Sequence, residues 1–269
     1  MKLIIKKILS FLGYSIQKIQ DRSESLDSKE IIAHGRKLVQ QFSPNLQILH
    51  GPFLGMKYPS LEITELALAP KFFGTYESQL HTQLFKLFET GYDDILDVGC
   101  AEGYYAVGFA MKSKDSTVHC FDINIADLEF CSKMAQLNGV SNITYNSFCS
   151  PNTLINFQHR GRTLIFCDCE GYEIDLFTEE VVATLKTTDV LIEFHDLHNN
   201  AISKTLLDRF KKTHDVAVIN NEDQFSRINI CAQIDKMSPK DRVFVKTEHR
   251  GGEYQMRYME WGFFQAKSL

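Results

Sequence analysis

ILDVGCAEGYY, residues 95–105, is an apolar run that ends in an acid, turns on one glycine and resumes after a second. The run predicts a buried strand over about 94–98, with Asp97 near its carboxyl end. Gly99 turns the chain, Gly103 permits a close approach of backbone, and a helix is expected from Tyr104 to Lys112. A strand, turn and helix in this order put backbone N–H groups and a carboxylate at the end of a strand, where doubly wound sheets bind ligands.

Working outward, the same alternation repeats. STVHCFDI (116–123) predicts a second strand, NITYNSF (142–148) a third, TLIFCDC (163–169) a fourth, DVLIEFHD (189–196) a fifth and DVAVIN (215–220) a sixth. Helices are expected over Ala126–Asn138, Thr178–Leu185 and Ile202–Thr213. Short apolar strands alternating with helices indicate a doubly wound, mainly parallel α/β sheet covered on both faces. Beyond about 225 the pattern weakens, and RVFVKT (242–247) and YMEWGFFQA (258–266) are expected as a last hairpin or edge strands.

Upstream, Leu80, Leu84, Leu87 and Phe88 recur at helical spacing within 74–90. Residues 35–70 carry turn signals at SPN (43–45), HGPF (50–53) and YPS (58–60) and are expected as a cap, with 20–34 a linker or exposed helix. The first twenty residues place Ile5, Ile8, Leu9, Leu12 and Ile16 on one helical stripe, with Lys2, Lys6 and Lys7 elsewhere. That stripe suits either a helix packed on the main domain or a peripheral membrane-surface contact, and it is too short and charged to span a bilayer. The expected division is 1–69, an N-terminal helical extension and cap, and 70–269, the α/β domain.

Composition narrows the function classes. The chain has 269 residues, 44% apolar and 23% charged, with a formal net charge of −5, which argues against nucleic acid as a partner. Seven cysteines form no CxxC pair and several lie in apolar runs, which suits free thiols in a reducing, cytoplasmic compartment.

The loop after the first strand separates the cofactors that a doubly wound sheet can hold. A dinucleotide fingerprint needs a middle glycine that Gly99-Cys-Ala-Glu-Gly103 lacks. An acid at Asp97 repels a pyrophosphate but suits a ligand carrying an ammonium and a sulfonium, such as S-adenosyl-L-methionine. Asp122, at the end of the second strand, can accept hydrogen bonds from both ribose hydroxyls. NAD and a loop without a cofactor are the alternatives.

DVGCAEGYY followed by CFDIN resembles motif I and the ribose acid of class I S-adenosylmethionine-dependent methyltransferases. GTYE (74–77), LNGVSNITY (137–145), DCEGYE (168–173), LIEFHD (191–196), EHR (248–250) and MEWGFF (259–264) are similar to pieces of the FkbM-type branch. They run in the family's order and span residues 70–265. Two positions depart from the pattern: Phe166 stands where members commonly carry lysine, and Ala101 where they carry asparagine.

The resemblance implies a Rossmann-like methyltransferase fold and site roles. Asp97, Gly99 and Gly103 line the methionine part, with Glu102 or Tyr104 nearby. Asp122 holds the ribose, Ile123 packs on the adenine, and Phe148 and Cys149 border its edge, although Phe148 also suits a plain core position. Glu77, with Tyr76, closes the cofactor pocket.

Methyl transfer to an alkyl hydroxyl is an in-line displacement in which a proton must be lost, so a base within hydrogen-bond reach helps. Asp168 and Glu170 close the fourth strand, and Glu193, His195 and Asp196 the fifth. His195 is the expected base on its ordinary pKa, with Asp168 and Glu170 as the other catalytic candidates. Glu193 lies in an apolar run and needs a partner, which suits a structural or substrate-orienting part. Glu248 and Arg250 either cap the acceptor or pair with each other. On an extended strand Cys167 and Cys169 share one face and Asp168 and Glu170 the other. Asp168, Glu170, Glu193, His195 and Asp196 have the chemistry of Mg²⁺ ligands, but carboxylates at nucleotide sites more often bind ligand hydroxyls, so no metal is assigned.

The resulting expectation is O-methylation of a hydroxyl on a sugar, glycolipid or secondary metabolite, with a small-molecule or glycan acceptor. An N-methyltransferase on a small amine, a non-catalytic binding module of the same fold and an NAD-linked oxidoreductase are the alternatives.

Overall fold

The computed structural model describes residues 28–63, 66–220, 232–249 and 259–267. The expected amphipathic helix over 1–20, and Arg250, lie outside the described residues. Among those described, one seven-stranded sheet runs in the order β3-β2-β1-β4-β5-β7-β6. Its strands are β1 (Asp94–Val98), β2 (Thr117–Phe121), β3 (Ile143–Asn146), β4 (Thr163–Cys167), β5 (Thr188–His195), β6 (His214–Ile219) and β7 (Met259–Ala266). All neighbours are parallel except β7, which runs antiparallel to both β5 and β6. This is the doubly wound, mainly parallel α/β sheet expected from the alternation of elements.

The order reverses at β1, so β1 and β4 lie side by side although 2 strands and their helices separate them in sequence. Both strands are buried along their whole length. Ile95 on β1 and Leu164 and Phe166 on β4 enter one apolar layer, whereas Leu96, Val98, Ile165 and Cys167 enter the other. Burial on both faces explains why these strands read as continuous apolar runs.

Helix α1 (Ser28–Phe42) buries Ile31, Gly35, Leu38 and Val39, a spacing of one helical stripe. Of the two expectations for 20–34, residues 28–34 form the helix, with one face buried, and it extends into the expected cap. Helix α2 (Leu68–Phe73) is buried at every position, and α3 (His81–Thr90) follows a short 3₁₀ turn at Ser78–Leu80. The first of the sheet's own helices is α4 (Tyr104–Lys112), and α5 (Ile125–Leu137) follows β2. Phe53 from the cap packs edge-on against Tyr104 and Tyr105 at 5.0 and 5.8 Å. The N-terminal segment thus shares an apolar layer with α4.

On the opposite face lie α6 (Pro151–Ile155), α7 (Glu173–Leu176), α8 (Glu179–Thr184) and α9 (Ile202–Phe210). The carboxyl-terminal expectation needs two corrections. YMEWGFFQA does form a strand and pairs with β6, but it inserts between β5 and β6, and the edge falls to the exposed β6. RVFVKT is not a strand: helix α10 (Pro239–Phe244) takes its first half. Ser238 caps that helix by accepting from Asp241 N at 3.2 Å with Pro239 in the first turn, a start signal stronger than the short alternation R-V-F-V. Among the described residues no helix is long and apolar enough to cross a membrane.

Candidate active site

The turn after β1 is held by the neighbouring strands. Gly99 N and Cys100 N both donate to Phe121 O, at 2.8 and 3.1 Å. Gly99 has φ +84°, and a Cβ there would lie 1.7 Å from the carbonyl oxygen of Asp168. Only glycine fits, because the backbone of residue 168 occupies that space. Asp168 N in turn donates to Val98 O at 2.9 Å, so the β1 and β4 turns are locked together. Gly103, φ +98°, starts α4, and a Cβ there would lie 2.5 Å from Cys131 Sγ.

Asp122 ties this turn to the end of β2. One carboxylate oxygen accepts from Ala101 N at 2.9 Å and the other from Asn124 N at 2.8 Å. Each oxygen keeps a lone pair for a further donor. Beside it Ile123 is 80% exposed and Phe148 52% exposed, while Cys149 is buried. Exposed apolar side chains at the ends of β2 and β3, flanking a carboxylate, suit a flat ring with hydroxyls attached. Phe148 is accordingly no core residue.

Asp97 is buried, and its Oδ2 has no hydrogen-bond partner. Burial pushes its carboxyl well above the usual range, and Cys131, Asp168, Asp122 and Glu102 add to the effect. An acid in that state is stabilised by any cation brought against it.

Glu102 is turned toward the N-terminal segment. It accepts from Lys71 Nζ at 2.7 Å and from Tyr58 OH at 3.0 Å, and the ammonium lies 5.0 Å from the Tyr76 ring and 5.4 Å from that of Tyr104. Glu77 is buried with φ +44°; its carboxylate accepts from Tyr105 OH, and its N–H donates to Glu248 Oε1 at 3.1 Å. Glu248 therefore meets Glu77, which neither sequence-based option for it included. Tyr104 is raised by burial and by Glu77, Glu102 and Glu248, which marks one acidic wall.

The second half of the site lies at the ends of β4 and β5. Cys167 and Cys169 bring their sulfurs to 3.5 Å, while Asp168 and Glu170 both reach His195, so the expected separation of faces holds. His195 Nδ1 is 2.7 Å from Glu173 Oε1, which also accepts from Cys169 N and Gly171 N at 3.2 Å each. His195 Nε2 lies 3.4 Å from Asp168 Oδ1, 3.6 Å from Glu193 Oε2 and 3.7 Å from Glu170 Oε2. Burial pulls the His195 imidazolium down, but the hydrogen bond to Glu173 and the charges of Asp168, Glu173 and Glu170 outweigh it, leaving the ring at about 9. The ordinary imidazole pKa, which makes His195 the expected base, does not hold here. Asp196 stands apart from this group, accepting from Ser203 N at 2.9 Å near the start of α9.

Glu173, present in DCEGYE but given no role from sequence, is one of three site residues without a sequence-based assignment. It is fully buried in the first turn of α7, two positions after Gly171, and nothing in its spacing predicts that it turns back to His195. Lys71 and Tyr58 were missed for the same reason, since they meet Glu102 across the cap. Phe166 lies between Tyr105 and Trp261, with ring centroids 4.2 and 4.9 Å away, so an aromatic stack fills this position.

No family model matches the chain. An uncharacterized protein of Bacillus subtilis (strain 168), YbxB, is 39% identical over 49 residues, 18% of this chain. The chain spans about a quarter of that relative's length, 24%. Among solved structures, the O-methyltransferase TomG from Streptomyces achromogenes, in complex with S-adenosylmethionine, is similar at TM-score 0.47 and 11% identity, covering 100% of both chains. A putative O-methyltransferase from Klebsiella pneumoniae is similar at TM-score 0.47 and 8% identity, covering 98% of this chain and 97% of that one. An rRNA methylase from Streptococcus thermophilus is similar at TM-score 0.46 and 11% identity, covering 70% and 97%.

Proposed function

We propose that the chain is an S-adenosylmethionine-dependent methyltransferase of FkbM-like type that O-methylates a hydroxyl on a sugar, glycolipid or other metabolite, with residues 70–269 as the catalytic domain. Asp97 carries the proposal. It is a buried carboxylate with one oxygen lacking a hydrogen bond, placed at the start of a glycine-shaped strand-to-helix turn. A ligand bearing an ammonium next to a sulfonium supplies the missing positive charge, and a pyrophosphate does the opposite. Asp122 offers its remaining lone pairs to the ribose, and Ile123 and Phe148 offer apolar surface to the adenine.

The lock between Gly99 and Asp168, which joins the β1 turn to the acidic group at the ends of β4 and β5, supports a methyl donor bound beside that group. In the reaction the acceptor oxygen forms a bond to the methyl carbon while the carbon–sulfur bond breaks, leaving S-adenosylhomocysteine and an ether. The hydroxyl proton passes to Asp168 or Glu170, both of which face His195. Glu193 is left to orient the acceptor, whereas Glu248 belongs with Glu77 to the cofactor-side wall. Two buried acids at the cofactor side, Glu77 and Glu102, shape the wall through Tyr105 and Lys71.

Calorimetry with S-adenosylhomocysteine tests the proposal. One site per chain is expected, with NADH giving no heat. A folded protein that binds no S-adenosylhomocysteine at millimolar ligand removes it. A positive result is followed by a labelled methyl donor and a panel of hydroxylated acceptors.

A further inference from the structure

His195 is a buried ring whose two nitrogens have very different surroundings. Nδ1 has a short partner in Glu173, 2.7 Å away, which fixes the proton on that nitrogen in the neutral ring. Nε2 is buried, has no hydrogen-bond partner, and points into oxygens of Asp168, Glu193 and Glu170 at 3.4, 3.6 and 3.7 Å. A proton on Nε2 fits that arrangement poorly, because charge-assisted N–H···O contacts close to about 2.7–2.9 Å. The spacing suits a different occupant. Ligand atoms about 2.1 Å from one ion lie roughly 3.0–3.5 Å apart when adjacent in octahedral or tetrahedral geometry. One atom each from Asp168, Glu193 and His195 lie within 4.8 Å of one another.

We propose that Asp168, Glu193 and His195 bind a divalent cation, with Glu170 at the pocket mouth completing the protein ligands. Three features favour a metal over a mere acidic patch. Asp168 Oδ1, like His195 Nε2, is buried without a hydrogen-bond partner. Glu173 supplies the outer carboxylate that metal-binding histidines characteristically donate to. The ligands also come from the ends of two adjacent parallel strands, β4 and β5, so the sheet pre-organises them. Two or three carboxylates with one imidazole suit Mn²⁺ better than the all-oxygen preference of Mg²⁺. This reverses the sequence-based expectation of no metal, which lacked the orientation of His195.

Glu170 has a mostly exposed side chain, 76%, so the ion keeps positions open toward solvent for an acceptor oxygen. The ion then lowers the acidity barrier of that hydroxyl and holds it beside the methyl donor. Ion binding stands on the pocket alone; its catalytic use rests on the methyltransferase proposal.

The test is Mn²⁺ titration of the purified full chain, read by loss of the free-ion electron paramagnetic resonance signal and repeated with Zn²⁺ by calorimetry. One Mn²⁺ per chain is expected. Asp168→Asn and His195→Gln should each weaken it by at least 10-fold, and Glu173→Gln by about 10–100-fold through loss of the outer carboxylate. Near-ultraviolet circular dichroism reports folding. If His195→Gln does not fold, Asp168→Asn, whose side chain is less buried than that of His195, carries the comparison. Folded wild type that takes up neither ion at millimolar concentration overturns the site, as does unchanged binding in folded Asp168→Asn. S-adenosylhomocysteine calorimetry on the same samples keeps the two ideas apart. Cofactor binding without ion uptake ends the metal proposal alone, and ion uptake without cofactor binding upholds it while ending the methyltransferase proposal.

Discussion

Gly99→Ala puts a methyl group where the chain leaves none. The new Cβ would lie 1.7 Å from Asp168 O, 2.7 Å from Asp168 C and 3.3 Å from Cys169 Cα, all backbone atoms that no rotamer change can clear. A side chain at φ +84° adds strain of its own. The left-handed conformation costs about 1–2 kcal/mol and overpacking about 1–3 kcal/mol, so the sum is about 2–5 kcal/mol. An unfolding entropy of about 2.1 cal/mol/K per residue turns that into a Tm lower by about 4–9 °C for a chain of this length. Gly91→Ala is the control: φ is +71°, but a Cβ there meets nothing within 4 Å, so only the backbone strain remains. Its Tm should fall by about 2–4 °C. The larger consequence is functional, since the displaced segment carries Asp168. Below its Tm, Gly99→Ala should therefore lose affinity for S-adenosylhomocysteine and for Mn²⁺ together, measured by calorimetry and resonance on the folded variant. A Gly99→Ala protein with wild-type Tm and wild-type affinity for both would refute the lock between the β1 and β4 turns.

Asp122→Ala removes the carboxylate that faces the ribose, and at about 1.5–3 kcal/mol for each of two charge-assisted bonds the S-adenosylhomocysteine affinity should drop roughly 100-fold or more; calorimetry within 3-fold of wild type, about 0.6 kcal/mol, would contradict it. Burial pushes Asp94 up, but hydrogen bonds from the Arg160 backbone and guanidinium and from His119 outweigh it and hold the carboxyl below its usual value. A depressed carboxyl contributes stability above its unfolded pKa and loses it as pH falls through the folded value. Denaturant midpoints should accordingly fall below about pH 4 in the wild type and change less steeply in Asp94→Asn. Lys71→Met leaves the buried Glu102 without its ammonium and should cost about 3–5 kcal/mol in urea unfolding, whereas Lys71→Met with Glu102→Gln should recover much of it.

Much of the architecture is legible locally. The apolar run ending at Asp97, the glycines at 99 and 103 and the start at Tyr104 define a strand, a turn and a helix through neighbouring residues alone, and the structure reproduces them. The grouping of residues 167–170 matches the expectation only in its outcome: the strand ends at Cys167 and Glu170 has φ +55°, so a turn brings Asp168 and Glu170 to His195 while Cys167 meets Cys169. Other features have no local signature. The strand at Met259–Ala266 inserts between β5 and β6, and its two flanking partners are far away in sequence. Glu173 meets His195 across 22 positions, Lys71 meets Glu102 across 31, and Glu77 meets Glu248 across 171.

Residues a few positions apart suffice for the period of each element, the turn chemistry around Gly99 and the supply of carboxylates at the strand ends. Which carboxylate faces which ring was decided by the tertiary structure. Periodicity depends on residues a few positions apart, whereas the pocket around His195 depends on strand order and on the register between β4 and β5. Those are set by the packing of both apolar layers at once.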